Sequence, residues 1–268
     1  MNSMNRRDFM KTTLSASVAA LAAPAGALEQ GAPAPGRDYY ELRCYRLKAG
    51  AAHSVLDGYL EGALIPALNA RGIAAVGVFT EPEATDGPAV WVLIPHQSLD
   101  SVASAAAALN ADRGVRRAGA AYLESPSAAL PAFDRIDSWL LLAFAGLPRL
   151  AVPALARGNR PRIFEMRTYE SFSESRALKK IEMFNAGEIG AMQELNLAPV
   201  FYGQVLVGRD MPELTYMLCS PDRETHRRNW AAFGVHPAWV RLKGDPQYAD
   251  TVSRITSRFL VPAPFSQI

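Results

Sequence analysis

The stretch Tyr40-Glu41-Leu42-Arg43-Cys44-Tyr45 returns, 124 residues further on, as Phe164-Glu165-Met166-Arg167-Thr168-Tyr169. A second echo, Arg135-Ile136-Asp137-Ser138 against Arg254-Ile255-Thr256-Ser257, precedes an apolar run in both places. A period this long exceeds that of stacked solenoid units, so the chain reads as two copies of a small domain. The function is expected to be built from two related halves facing each other.

Each half reads strand, helix, strand, strand, helices, strand. In the second half, 162–169 alternates as a strand. Ser171 with Glu174 makes a capping-box pattern for the next helix. Along that helix Ala177, Ile181, Phe184, Gly187 or Glu188, Met192 and Leu195 recur at helical steps and mark one buried face. Strands follow over 200–207 and 214–219. Ser220-Pro221 predicts the start of a helix running to about Phe233. A short helix over 237–243 and a closing strand over 254–261 complete the half. The first half repeats the path, with strands near 39–47, 74–80, 89–95 and 135–144, and helices over 51–70, 99–110 and 113–123.

Residues 145–160 read as a linker between a first domain, 38–144, and a second, 161–268. The order β-α-β-β-α-β defines a ferredoxin-like unit, whose sheet carries helices on one face only. The expected fold class is therefore α+β: two tandem ferredoxin-like domains burying their bare faces against each other as an intrachain dimeric α/β barrel.

The amino terminus reads differently. Asn5-Arg6-Arg7-Asp8-Phe9-Met10-Lys11 has the form of a twin-arginine export signal. A short apolar stretch follows, then Ala25-Gly26-Ala27 as a small-x-small cleavage site. Residues 1–27 are read as a signal peptide and 28–37 as a flexible mature terminus, which implies export to a periplasm. No later stretch holds 18 uninterrupted apolar residues, so no membrane insertion is expected after cleavage. Losing Arg6, Arg7, Lys11 and Asp8 takes the formal net charge from +2 to zero. The basic balance thus belongs to the leader and gives no reason to expect nucleic acid. Apolar residues make up 49% of the chain, ample for packed cores. Cys44 and Cys219 are too few for a disulfide framework, and Cys44 shares a strand face with Tyr40 and Leu42, as a core thiol would.

Several words of the second half, in order, resemble the NIPSNAP family within the dimeric α/β-barrel superfamily. They are Arg162-Ile163-Phe164-Glu165-Met166-Arg167-Thr168-Tyr169, Met183-Phe184-Asn185 with Gly187-Glu188, Pro199-Val200-Phe201-Tyr202-Gly203, Met211-Pro212-Glu213-Leu214-Thr215-Tyr216-Met217, and Trp230-Ala231-Ala232-Phe233 with Pro237 and Trp239. The first half keeps the opening strand and Val76-Gly77-Val78-Phe79 but lacks the Trp-x-x-Phe pair. The resemblance implies the fold and no agreed reaction. Some animal members act through protein interactions, and the superfamily includes monooxygenases, isomerases and haem-handling proteins. Fold by itself does not transfer function.

Strand alternation splits the repeated motif into two faces. With Leu42, Phe164 and Met166 toward the helices, Glu41, Arg43, Tyr45, Glu165, Arg167 and Tyr169 would converge inside the barrel. Charges buried there need partners. The six residues read either as a self-satisfied network fixing the halves, or as a pocket in which Arg binds an anionic or carbonyl oxygen and Tyr or Glu exchanges a proton. Tyr202 and Tyr216 add polar contacts to that candidate interior, and Glu188, interrupting an apolar helix face, pairs inside or stands at the mouth. Trp230, Phe233 and Trp239, at helical spacing, are read as core rather than as a ligand cage.

No catalytic residue is assigned. His53, His96, His226 and His236 lack metal-ligand spacing, so no metal site is expected. No nucleophile elbow, Walker loop or dinucleotide fingerprint is present. No cofactor is predicted, with haem or flavin left open. Arg223, Arg227, Arg228 and Arg241 make a basic helical region around His226, read as a solvated helix face, with an anionic partner surface as the alternative. Two functions follow: a barrel that binds a small hydrophobic or anionic ligand or a protein partner, and a cofactor-independent oxygenase or isomerase acting on a small hydrophobic compound inside the barrel.

Overall fold

Eight strands of alternating side chains form one closed antiparallel barrel in the order β1-β3-β2-β8-β5-β7-β6-β4. The computed structural model describes residues 36–48, 53–124, 133–158 and 160–268. The export signal and all but the last two residues of the mature terminus lie outside these. Among the described residues, no helix is long and apolar enough to cross a membrane.

The first half supplies β1 (Tyr39–Arg46), β2 (Gly77–Thr80), β3 (Ala89–His96) and β4 (Arg135–Ala143). The second supplies β5 (Ile163–Glu170), β6 (Pro199–Val207), β7 (Glu213–Ser220) and β8 (Arg254–Pro262). Within each half the sheet order is that of a ferredoxin-like unit, with the first strand between the fourth and third. Two seams close the barrel. At one, Phe79 and Thr80 of β2 face Pro262 and Val261 of β8. At the other, β4 runs along β6 from Leu140↔Val207 to Ala143↔Gly203, with a bulge.

Helices cover the outside. The first half has α1 (Ser54–Tyr59), a π-turn (Leu60–Leu64), α2 (Ile65–Asn69), α3 (Leu99–Ala111), α4 (Arg113–Ala118) and α5 (Ala120–Leu123). The second has α6 (Glu174–Met183), a π-turn (Phe184–Glu188), α7 (Ile189–Glu194), α8 (Arg223–Gly234) and α9 (Pro237–Gly244). The two π-turns fall at the same offset of 124 residues as the strand motif. Two helix starts differ from the sequence expectation. Ser173, not Ser171, caps α6 by accepting from the Arg176 N–H, and Asp222, not Ser220, caps α8 by accepting from Thr225. In both, the capping oxygen stands three residues before the amide it serves, the reach an N-cap requires.

The middle of the barrel interior is apolar and joins both halves. Tyr40, Leu42, Cys44, Phe79, Trp91, Leu93, Phe164, Met166, Phe201, Met217 and Leu260 pack there as one core. Both thiols are buried and unbridged.

This reverses the expected facing of the repeated motif. Leu42, Phe164 and Met166 point into the barrel, while Tyr45 and Tyr169 belong to two separate cores between sheet and helices. Glu41, Arg43, Tyr45, Glu165, Arg167 and Tyr169 therefore line the sheet's outer face, and Tyr202 and Tyr216 join them in the helix-side core. The physical reason is partnership. An enclosed lumen takes the apolar strip because it offers charges little solvation, whereas the helices bring donors to the other face.

Candidate functional site

On the outer face of β5, Glu165 is a hub. It accepts hydrogen bonds from Arg167 Nη1 (2.9 Å), Ser257 Oγ (2.5 Å) and Trp230 Nε1 (2.8 Å), and its second oxygen lies 2.8 Å from His226 Nε2. Burial works to raise its pKa, but His226, the Arg167 charge and Ser257 bring it down to about 2. His226 Nδ1 continues to Ser220 Oγ at 2.9 Å. The first half aligns the same residue types from swapped elements, with a looser Glu-His contact. Arg43 Nε donates to Glu41 at 2.6 Å, His96 Nε2 on β3 stands 3.6 Å from Glu41, and His96 Nδ1 is 2.9 Å from Ser101 Oγ on α3. In the second half the strand gives the serine and the helix the histidine. The second-half chain is buried throughout, whereas in the first half only His96 is, with Glu41 and Ser101 partly exposed; in both halves the glutamate holds the arginine two residues on.

What lies above the arginines differs between the halves. Over Arg167 opens a cavity of about 520 Å³, walled by Tyr169, Lys180, Glu188, Trp230 and Trp239. The Arg167 guanidinium sits 4.8 Å from the Trp230 ring and 5.6 Å from Tyr169. Its Nε has no hydrogen-bond partner. Lys180 and Glu188 are 4% and 2% exposed and form an ion pair across the π-turn. The Lys180 ammonium is boxed by the rings of Phe184 (4.7 Å), Trp239 (5.4 Å) and Tyr169 (5.8 Å). Burial raises the Glu188 carboxyl against the pull of Lys180. The Tyr169 hydroxyl meets that of Tyr216 at 2.9 Å, and Tyr202 stacks on Tyr216 while donating to Met192 Sδ.

At the corresponding positions of the first half, 124 residues earlier, Leu56, Leu64, Ala106 and Val115 stand in place of Lys180, Glu188, Trp230 and Trp239. Leu56, Leu64 and Val115 are core residues. Tyr59 and Tyr122 stack at 4.2 Å, and Phe133 meets Tyr45 edge-on. The space over Arg43 is packed, not open.

Of the nine residues singled out from sequence, Arg167, Tyr169 and Glu188 line this cavity. Glu165, Tyr216 and Tyr202 support it from behind. Glu41, Arg43 and Tyr45 sit in the packed counterpart. Lys180, Trp230 and Trp239 were missed as site residues. Their signal was available: Lys180 and Glu188 occupy the same helix face as Ala177 and Phe184, and both become leucine in the first copy. Among the described residues no group of three His, Cys, Asp or Glu is placed to hold a metal ion.

Residues 164–267 match the NIPSNAP family. No curated protein matches the chain. Among solved structures, a candidate monooxygenase from Fusobacterium nucleatum subsp. nucleatum is 8% identical, with a TM-score of 0.55 over 85% of this chain and 93% of that one. A candidate monooxygenase from Lactobacillus acidophilus is 7% identical, with a TM-score of 0.56 over 84% of this chain and 94% of that one. A NIPSNAP-like domain protein from Burkholderia xenovorans, described as uncharacterized, is 20% identical over 39% of this chain and 88% of that one, with a TM-score of 0.35. The fold is thus that of the dimeric α/β barrels, here closed within one chain. Its second half carries a NIPSNAP domain.

Proposed function

We propose that the protein binds a small, flat, hydrophobic compound carrying an anionic or carbonyl oxygen, in the second-half cavity between sheet and helices. One observation carries the reading. Leu56, Leu64 and Val115, which pack in the first-half core, and the exposed Ala106 are replaced in the second half by a buried Lys180–Glu188 pair and two tryptophans around a cavity. A buried ion pair is weak evidence of stabilisation, and apolar replacements of similar volume are often neutral or stabilising. Its presence in one copy alone therefore points to use. Arg167 and Lys180 supply positive charge for an oxygen, and the rings supply apolar walls for the body of the compound. A cavity over Arg167 with packed side chains over Arg43 predicts one such site per chain.

The test is calorimetric titration with 2-naphthol and 2-naphthoate. Arg167→Met should weaken binding at least tenfold, and Arg43→Met, in the packed counterpart, should leave it unchanged. Lys180→Leu with Glu188→Leu, which restores the first-half packing, should abolish it in a folded protein. Undiminished binding in that double variant would remove the site.

A second reading, oxygenase or isomerase chemistry without a cofactor, is supported by Glu188. A raised carboxyl beside a fixed cation can accept a proton from an acidic O–H or C–H of the bound compound, while Arg167 and Lys180 hold the oxyanion formed. The two structural relatives described as monooxygenases are consistent with this class but support it through fold alone. Export by the twin-arginine route and cleavage after residue 27 belong to the same proposal. Finding the protein in the cytoplasmic fraction with its leader intact would contradict them. A protein partner on the outer helices is retained as the alternative to a small ligand, and a pull-down with the double leucine variant separates the two.

A further inference from the structure

The barrel lumen has two unlike ends. At the end where β1 and β5 begin, Tyr40, Phe79, Phe164, Phe201 and Ile268 fill the space. At the other, a cavity of about 230 Å³ opens over Leu42, Cys44, Trp91 and Met166, with Trp139, Thr168, Thr215 and Thr256 on its walls. We propose that this open end is a second ligand site, taking a small organic ammonium ion with Glu213 as its counter-ion.

Charge pairing carries the argument. The mouth holds four arginines, and each is already committed. Arg46 and Arg209 both bond Asp137, Arg254 pairs with Glu170, and Arg258 pairs with Glu81 and Asp86. Glu213, at the start of β7, is 4% exposed, and its Oε1 has no hydrogen-bond partner. Facing it are Glu170 of β5, directly opposite in register, and Asp210 of the preceding turn. Arg209 and Arg254 also line the mouth, but their nearest acids are Asp137 and Glu170. The Trp139 side chain acts the other way and favours the ionised carboxylate. Burial, Asp210 and Glu170 together push this carboxyl up to about 7. A desolvated carboxylate among other carboxylates lacks a cation, and a ligand ammonium supplies one.

The remaining walls suit the rest of such an ion. The Thr168 and Thr215 hydroxyls, 2.9 Å apart, offer oxygen acceptors for N–H groups. Trp91 and Trp139 lie stacked with centroids 5.7 Å apart, beside Leu42 and Met166, and aromatic faces attract cations. At about 30 Å³ per water, the space equals roughly eight waters, which fits a compound the size of benzylamine. This site shares no lining residue with the second-half cavity.

Benzylammonium, with benzyl alcohol as its neutral isostere, is the probe, titrated by calorimetry into the full chain. The expected results are one site for benzylammonium, none for benzyl alcohol, and affinity falling about tenfold from pH 8 to pH 6 as Glu213 takes up a proton. Glu213→Gln, isosteric and checked for folding by circular dichroism, should abolish binding. Lys180→Leu with Glu188→Leu should leave it intact. Equal binding of the alcohol, no binding of benzylammonium at millimolar concentration, or unchanged affinity in a folded Glu213→Gln protein would each overturn the proposal.

Discussion

Glu165 and Glu213 are both buried carboxylates, and their surroundings drive them in opposite directions. Four donors converge on Glu165, so its value of about 2 lies below the ordinary 4.5. The stabilisation from that carboxylate is complete above pH 4.5 and is lost as the pH falls toward 2, about 3 kcal/mol in all. Glu165→Gln should cost about that much at pH 7 and little near pH 2, measured by denaturant unfolding. Glu213 behaves inversely. With a folded-state value of about 7 against 4.5, the fold favours its neutral form, and stability declines as the pH rises between those values. Glu213→Gln should therefore gain about 3 kcal/mol at pH 8 and almost nothing at pH 4. Equal gains at both pH values would show that the charge is not the cause. Gly208 shares this neighbourhood. An alanine Cβ there would stand 2.5 Å from Trp139 Cδ1 and 2.8 Å from Val205 Cγ1. Gly208→Ala should lower stability by about 1–3 kcal/mol through overpacking.

The helix that follows the opening strand of each half shows how one element serves two purposes. In both copies it is interrupted by a π-turn at matching positions, a feature frequent near functional sites. Lys180 and Glu188 pair across that turn in the second copy, whereas Leu56 and Leu64 pack in the first. Lys180→Leu alone leaves a buried carboxylate unpaired and should cost about 3–5 kcal/mol. The double leucine variant should return to within about 1 kcal/mol of the parent or exceed it. Urea unfolding of the two single variants and the double variant measures this directly. Most elements were legible from periodicity: β7 and α3 each lie within a residue or so of the expected bounds, because alternation and helical spacing act locally. Two helix starts were misread because Ser171 and Ser220-Pro221 carry cap chemistry while Ser173 and Asp222, two residues later, make the bonds. Glu188 was legible as an acid interrupting an apolar face, but its partner Lys180 lies eight residues earlier, where no short motif links the two.

At the scale of the whole molecule, both faces of the sheet are covered, the inner by the opposite half and the outer by helices. Hydrophobic alternation then separates two strips without saying which faces inward, and that is why the charged strip was expected inside the barrel. Its true placement follows from which side can satisfy charge: His226, Ser257 and Trp230 reach Glu165 on the helix side, while Phe164 and Met166 close the lumen. The barrel thus has two similarly built halves with unequal sites, one packed over Arg43 and one open over Arg167. The most direct test is a crystal structure of the full chain soaked with 2-naphthol. One ligand per chain is expected, between β5, α6, α8 and α9, with its oxygen beside Arg167 or Lys180. Ligand in the barrel lumen, or over Arg43 in the first half, would contradict that placement.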